Sequence, residues 1–540
     1  MQKLFFLFFI GLFAQQITAQ TVPIGQVGTD DMLRVLQLTG KIDAAQSFTA
    51  KPFFYNKFIS RNDLLNMIDS SSTRSASNRR GNRPLQHSLQ SSYWNNNLQL
   101  AVLPATIATK FNSHHGYGWN DAGMIMAKGL QTMVTAGVYA KAGPLSIQLQ
   151  PEYYYAANPD YATTATYGSA GGKALNKAYL GQSAIRLNLG PVSLGASSEN
   201  LWWGPGQFSS LMMSNHAPGF QHITFNTTRP LKTPIGSFEW QLVMGKLNED
   251  TSAAFENTFM KPFRPRNEDR YFNGIVLTYQ PRFLRNFFLG LTRSEHVYIS
   301  DRDKKSGFVN KYLPVFIAAS PTDNANAASI PADGAFSFFS RWILPKHQAE
   351  FYIEYGYNDF KQNLRDLATN ANHSSAYIVG FNKFINLPPS GGIKGGGILI
   401  SAELTQMAQT TSYVVRTAGN WYVHGGVSQG FTYQNQIMGA GSGFGNNVQT
   451  IQVKKMNGFN YIGLKFQRIQ QDPKGTNGPF TSLGMRDYQW NDLALGFLGQ
   501  HRWNKLLLNG EMQLVNSKNY GWEPGNAFNL FLQLKASYFF

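Results

Sequence analysis

Two tryptophans stand side by side in Glu199-Asn200-Leu201-Trp202-Trp203-Gly204-Pro205-Gly206, the densest run of chemically capable residues in the chain. Ser209-Ser210-Leu211 and Ser214-Asn215-His216-Ala217-Pro218-Gly219-Phe220 follow at once. Flat indole faces stack on sugar rings, and the Asn215 amide and His216 imidazole beside them suit hydroxyl groups. A second reading places Trp202 and Trp203 in an interfacial aromatic girdle or a packed loop base. Basic side chains form the other conspicuous groups: Lys261, Arg264, Arg266 and Arg270 in one stretch, then Arg302, Lys304, Lys305 and Lys311 in the next. Guanidinium forks match the carboxylates of uronic acids and the phosphates of lipopolysaccharide. Solubility and contact with lipid headgroups are the plainer uses of the same charges. Arg74, Arg79, Arg80 and Arg83 lie in a polar connector and suit acidic groups within a lumen.

Other constellations fail on context. His114-His115 and the pair His216 and His222 have no carboxylate at a spacing that completes a metal site, so hydroxyl-bonding or solvated imidazoles are expected. Gly439-x-Gly441-x-Gly443-x-x-Asn446 does not join a buried strand to a helix, which removes a phosphate-binding role. Asp301, Asp303 and Asp160 are offset by Arg302, Lys304 and Lys305, which reads as a mixed solvated loop. No Gly-x-Ser-x-Gly elbow occurs in a strand-to-helix setting. The chain has no cysteine, hence no disulfide, thiolate nucleophile or lipid-attachment thiol. The expectation is a non-enzymatic protein with no cofactor and no metal.

The elements that must carry these residues start with an export signal. Met1 to Ala19 has a basic start at Lys3, an apolar stretch from Leu4 to Phe13 too short to span a bilayer, and a small residue before a cut at Gln20. Residues 20–92 form a helical periplasmic or lumen-plugging segment. One helix follows Asp30-Asp31 and ends at Gly40, and a second runs from Ser60 through Ile68, before the Ser-, Asn- and Arg-rich connector.

Residues 93–540 read as a transmembrane β-barrel. Of the 540 residues 14% are aromatic and 14% charged, while mean hydropathy is only −0.27. Apolar residues hidden by alternation produce such a balance. Segments of roughly ten residues alternate between tight breaks and long polar connections. The tight breaks are Ala142-Gly143-Pro144, Gly190-Pro191, Leu344-Pro345-Lys346, Ala418-Gly419-Asn420, Met456-Asn457-Gly458 and Gly499-Gln500-His501. The long connections fall near 110–123, 157–178, 200–219, 248–269, 300–333, 359–374, 433–448, 470–489 and 517–526. About eighteen to twenty antiparallel strands follow from that count. In the last of them Phe528, Leu530, Leu532, Leu534, Ala536, Tyr538 and Phe540 make one face, and Asn529, Gln533, Lys535 and Ser537 the other. Phe531 and Phe539 break the pattern. A final strand ending in the periplasm directs the long loops outward, and its terminal Phe540 resembles the signature that barrel-assembly machinery reads.

The Trp202-Trp203-Gly204-Pro205-Gly206 stretch resembles the signature of the Wzi family of capsule assembly proteins. Leu33-Arg34-Val35-Leu36-Gln37, Ser47-Phe48-Thr49, Ala140-Lys141-Ala142-Gly143-Pro144 and Trp421-Tyr422-Val423-His424 with Gly430-Phe431-Thr432-Tyr433 are similar too. The resemblance implies an outer-membrane barrel with a small helical periplasmic bundle, acting as a lectin that holds capsular polysaccharide at the cell surface. The partners are then an acidic polysaccharide and outer-membrane lipid, with no nucleic acid. That suits the net charge of +17. A porin-like transport channel, or a structural subunit of a secretion or motility complex, are the alternatives.

Overall fold

The computed structural model describes residues 20–42, 45–54, 90–93, 98–160, 172–252, 266, 268–317, 330–358, 369, 371–388, 396–408, 420–472 and 488–540. The expected signal peptide, the second helix from Ser60 to Ile68, the arginines of the connector, Lys261 and Arg264 lie outside them.

Eighteen antiparallel strands close into a barrel. Three of them are interrupted. Leu145–Leu149 and Glu152–Ala156 both pair with Gly129–Ala142, Leu175–Tyr179 continues as Ala184–Leu189, and His222–Thr227 as Leu231–Thr233. Closure joins the last strand, Asn526–Tyr538, to the first, Leu98–Asn112, from Tyr538↔Ala105 to Phe531↔Asn112. Among the described residues no helix is long and apolar enough to cross a membrane.

The alternation of the last strand sorts its side chains as expected. Phe528, Leu532, Leu534 and Tyr538 are exposed on the outer wall, while Asn529 and Ser537 are buried in the lumen. Phe531, one exception, faces inward and meets the ring of Tyr117 edge-on at 5.7 Å. Phe539 follows the strand and packs against the apolar cluster of the N-terminal segment.

Two expected turns are displaced. Strand Asn491–Trp503 runs straight through Gly499-Gln500-His501 and turns at Asn504-Lys505, where Asn504 takes the left-handed conformation (φ 53°). Asn420, the one described residue of Ala418-Gly419-Asn420, lies inside a single long connection between Gly397–Gln406 and Asn447–Asn457. The stretch after it therefore adds no wall strand. At Gly143 and Gly190 φ is 58° and 66°, yet nothing lies within 4 Å of where a Cβ would sit. These hairpins need glycine for backbone conformation alone.

The N-terminal segment packs inside the barrel around helix α1, Thr29–Leu38. Gly40 (φ 66°) follows its last turn, as a C-terminal glycine should. Val35 and Leu38 bury against wall residues Phe288, Ile343, Leu399 and Met456. Polar anchors complete the seat. Arg34 pairs with Glu350, which also accepts from Arg341 at 2.6 Å. The Ser47 N–H donates to Glu239 at 2.8 Å, and Asp31 pairs with Lys454. Burial alone would raise the Asp31 carboxyl, but the Lys454 ammonium outweighs it and holds Asp31 below its ordinary value.

Candidate functional site

The double-tryptophan segment turns into the lumen. Trp202 and Trp203 form a two-residue antiparallel ladder with Ala50–Lys51 of the N-terminal segment. Trp203 is fully buried and its indole N–H donates to Gln241 at 2.7 Å. Trp202 is 4% exposed, with the Lys51 ammonium 5.4 Å from its ring centre. Arg34 donates to the carbonyls of Pro205 and Gly206 at 2.6 and 3.1 Å. Glu403 accepts the N–H groups of Gln207 and Phe208 at 2.7 and 3.2 Å. A Cβ on Gly204 would sit 2.8 Å from a Glu354 oxygen, so glycine is needed there for space as well as for its φ of 118°. Carboxylates on the wall thus satisfy the backbone of a loop that has left water.

Asn215 and His216 belong to the same plug. The Asn215 amide donates to the Asn120 carbonyl at 3.0 Å, and burial pushes the His216 imidazole down to about 3, so it is neutral near pH 7. Residues 420–446 cover this layer from the outside: Tyr422 donates to the Leu211 carbonyl at 2.9 Å, and the His216 ring lies 2.6 Å from where a Cβ of Gly441 would stand. The glycines of Gly439-x-Gly441-x-Gly443 permit that packing. Stacking of a polymer on Trp202 or Trp203 is therefore corrected: both are interior packing residues. His115, expected to be hydroxyl-bonding or solvated, is buried, and its Nε2 lies 3.2 Å from the Ser517 hydroxyl.

The basic residues divide. Arg270 is wholly buried, paired with Glu249 and donating to the Thr432 carbonyl at 2.8 Å, so it anchors the covering loop and meets no ligand. Arg302, Lys304 and Lys305 lie on the connection after Phe287–Tyr298, around helices α2, Ile299–Lys304, and α3, Phe308–Tyr312, and Arg266 reaches them from the connection before Arg270–Pro281. All four charges are answered nearby. Arg266 pairs with Asp301 and Glu268 at 2.5 and 2.6 Å, Arg302 with Asp303 at 2.7 Å, Lys304 with Asp301 at 2.7 Å, and Lys305 with Glu295 at 3.0 Å. Burial would raise the Asp301 carboxyl, but Lys304 and Arg266 outweigh it and hold it low.

What distinguishes this outer loop is its rings. The Arg302 guanidinium lies 5.1 Å from the ring centres of both Tyr271 and Tyr312, and Arg266 stacks 3.7 Å over Tyr298. Phe308 is 68% exposed and its ring is 5.2 Å from that of Tyr312. Phe316 is also exposed. Apolar rings kept in water beside fixed guanidinium forks are costly without a ligand. Phe308 and Tyr312 escaped the sequence reading. Their i, i+4 spacing within a basic loop is the signal that marks them. Among the described residues no grouping of His, Asp and Glu suits a metal ion.

Comparisons with known proteins agree with this architecture. The family model for capsule assembly protein Wzi matches residues 110–529. No curated protein sequence matches the chain. Wzi of Escherichia coli, described as an outer-membrane protein involved in group 1 capsule assembly and a carbohydrate-binding β-barrel, superposes with a TM-score of 0.60. It shares 11% identity, over 97% of this chain and 100% of its own, which establishes the fold. OprD of Pseudomonas aeruginosa (TM-score 0.39, 7% identity, 84% and 97% covered) and the channel DcaP of Acinetobacter baumannii (0.29, 9%, 84% and 100%) are more distantly similar outer-membrane proteins.

Proposed function

This chain belongs to the capsule assembly protein Wzi family of outer-membrane barrels, and from that premise we propose that it is a non-enzymatic lectin that anchors an acidic surface polysaccharide. The observation that carries this reading is the outer patch of Arg302, Tyr271, Tyr312 and Phe308. There, ring faces for sugar C–H surfaces stand beside the Arg302 guanidinium, whose internal partner is the exposed Asp303 at 2.7 Å, a contact that a polymer carboxylate can compete for. Lys311 adds charge on the same helix. Lipopolysaccharide phosphate meets the remaining outer cations, and the strand ending at Phe540 serves the barrel-assembly machinery.

The transport alternative has less support. The N-terminal segment, residues 198–221 and residues 420–446 fill the lumen with interlocking contacts, which favours a closed barrel. No observation favours a secretion or motility subunit. Deleting the gene is expected to release capsule-like polymer into the medium. Polymer that stays fully cell-attached in the deletion strain sinks the proposal.

A further inference from the structure

A second group of rings lies across the mouth from Arg302. Tyr520 and Trp522 sit on the last outer loop, Trp490 at the end of another, and His114-His115 beyond the first strand. Tyr520 contacts three of these rings, with centres at 4.4 Å (His115), 4.9 Å (Trp490) and 5.6 Å (His114). Trp490 meets Trp522 edge-on at 5.0 Å. The base of the cluster is buried and fastened: the Trp490 indole donates to Asp492 at 2.7 Å, and His115 rests on Ser517. Its upper members, His114, Tyr520 and Trp522, are half-buried. Trp522 has φ 62°, a left-handed conformation that costs a bulky residue about 1–2 kcal/mol. Its N–H bonds to the Asn519 carbonyl at 2.9 Å and its indole N–H to the Gln471 carbonyl at 3.3 Å. The strained residue is thus held in place beside a floor of packed rings.

The two patches differ in chemistry and place. The Arg302 patch is built around guanidinium and ammonium groups, whereas this cluster presents the rings of Tyr520 and Trp522 over a His115 that burial pushes down to about 3. The Arg302 loop joins the ninth and tenth strands, and the Trp522 loop the seventeenth and eighteenth, so they lie nearly opposite on the ring. With strands ~4.8 Å apart and tilted ~40°, opposite walls are about 35 Å apart.

We propose that Tyr520, Trp522 and His114 form a second subsite for the ring faces of uncharged sugar residues, so that one polymer chain lies across the mouth between this platform and the Arg302 patch. The inference rests on the polysaccharide-binding reading above. Its consequence is a dependence on chain length. A fragment shorter than the mouth reaches one patch, while a longer chain engages both and gains from the high effective concentration of its second contact.

The test uses the full-length barrel in lipid nanodiscs and acidic surface polysaccharide extracted from cells that make the protein, cut into fractions shorter and longer than the mouth. Wild-type protein is expected to bind the long fraction about 100-fold more tightly than the short one. Trp522→Ala is expected to bring long-chain affinity down to the short-chain level, and Trp522→Phe to keep most of the advantage. Heat-dependent gel migration reports whether each variant is a folded barrel, and His114→Ala supplies the readout if Trp522→Ala does not fold. A folded Trp522→Ala or His114→Ala protein that retains the advantage, or a wild type without one, overturns the second subsite while polymer binding stands. A wild type that binds neither fraction overturns the polysaccharide reading itself.

Discussion

Residues 198–221 and residues 298–317 are both outer connections rich in aromatic and polar groups, yet the barrel treats them oppositely. The first folds inward and buries Trp202 and Trp203, while the second leaves Phe308 and Phe316 in water. The difference lies in what waits for them. Inside stand Gln241, Glu403 and Arg34 at hydrogen-bonding distance from the double-tryptophan loop. The outer loop has its charges answered at the mouth, by its own Asp301 and Asp303, by Glu268 of the neighbouring connection and by Glu295 at the strand end, and so stays outside. A buried loop requires partners for its backbone groups, and the lumen supplies them to the first loop through Arg34, Glu354 and Glu403.

This contrast can be broken experimentally. Glu350→Ala removes the carboxylate between Arg34 and Arg341, leaving two buried guanidinium groups without it. A loss of about 3–5 kcal/mol is expected in urea unfolding of the detergent-solubilised barrel. An unchanged midpoint means the internal ion pairs do not hold the plug.

Swapping the question between the two loops sharpens it. Trp203→Ala should cost about 3–5 kcal/mol of stability as a large fully buried side chain is lost. Phe308→Ala should leave stability within about 0.5 kcal/mol but weaken polymer binding about tenfold, or ~1.4 kcal/mol. The reverse pattern, with Phe308→Ala destabilising and Trp203→Ala impairing binding alone, would reassign the ligand surface to the lumen.

The smallest effect expected is on pH. Because Asp31 is held below its ordinary value in the folded state, its contribution is complete above the unfolded carboxylate pKa of about 3.9 and is lost as pH falls through the lower folded value. Hydrogen-exchange protection of Thr29–Leu38 should therefore hold between about pH 7 and 5 and decline only below about 4. Protection already lost at pH 5–6 would point to a different group.

Much of the fold was legible because it is written in short range. The alternation of Phe528 to Tyr538, the glycine hairpins at Gly143 and Gly190, and the helix ending before Gly40 each depend on neighbours in the chain, although that helix starts at Thr29, so Asp30 and Asp31 lie in its first turn and do not cap it. The misplaced turn at Gly499 shows the limit. Glycine there faces open space within a paired strand, and only the register with Gly510 identifies it as wall. The binding patch was half legible: the basic residues of 302–305 announced themselves, but not which were neutralised, nor the rings of Tyr271 and Tyr312 that flank Arg302.

Residue order alone therefore determined a membrane barrel, the side to which its long loops leave, and a family signature. Whether that signature faces a ligand or the interior was decided by tertiary structure alone. Its partners Glu403 and Tyr422 lie some two hundred residues away along the chain, and the barrel must close before they meet it. Local patterns set which face a strand shows to lipid, but the direction of a long loop follows from complementary groups that only closure brings near.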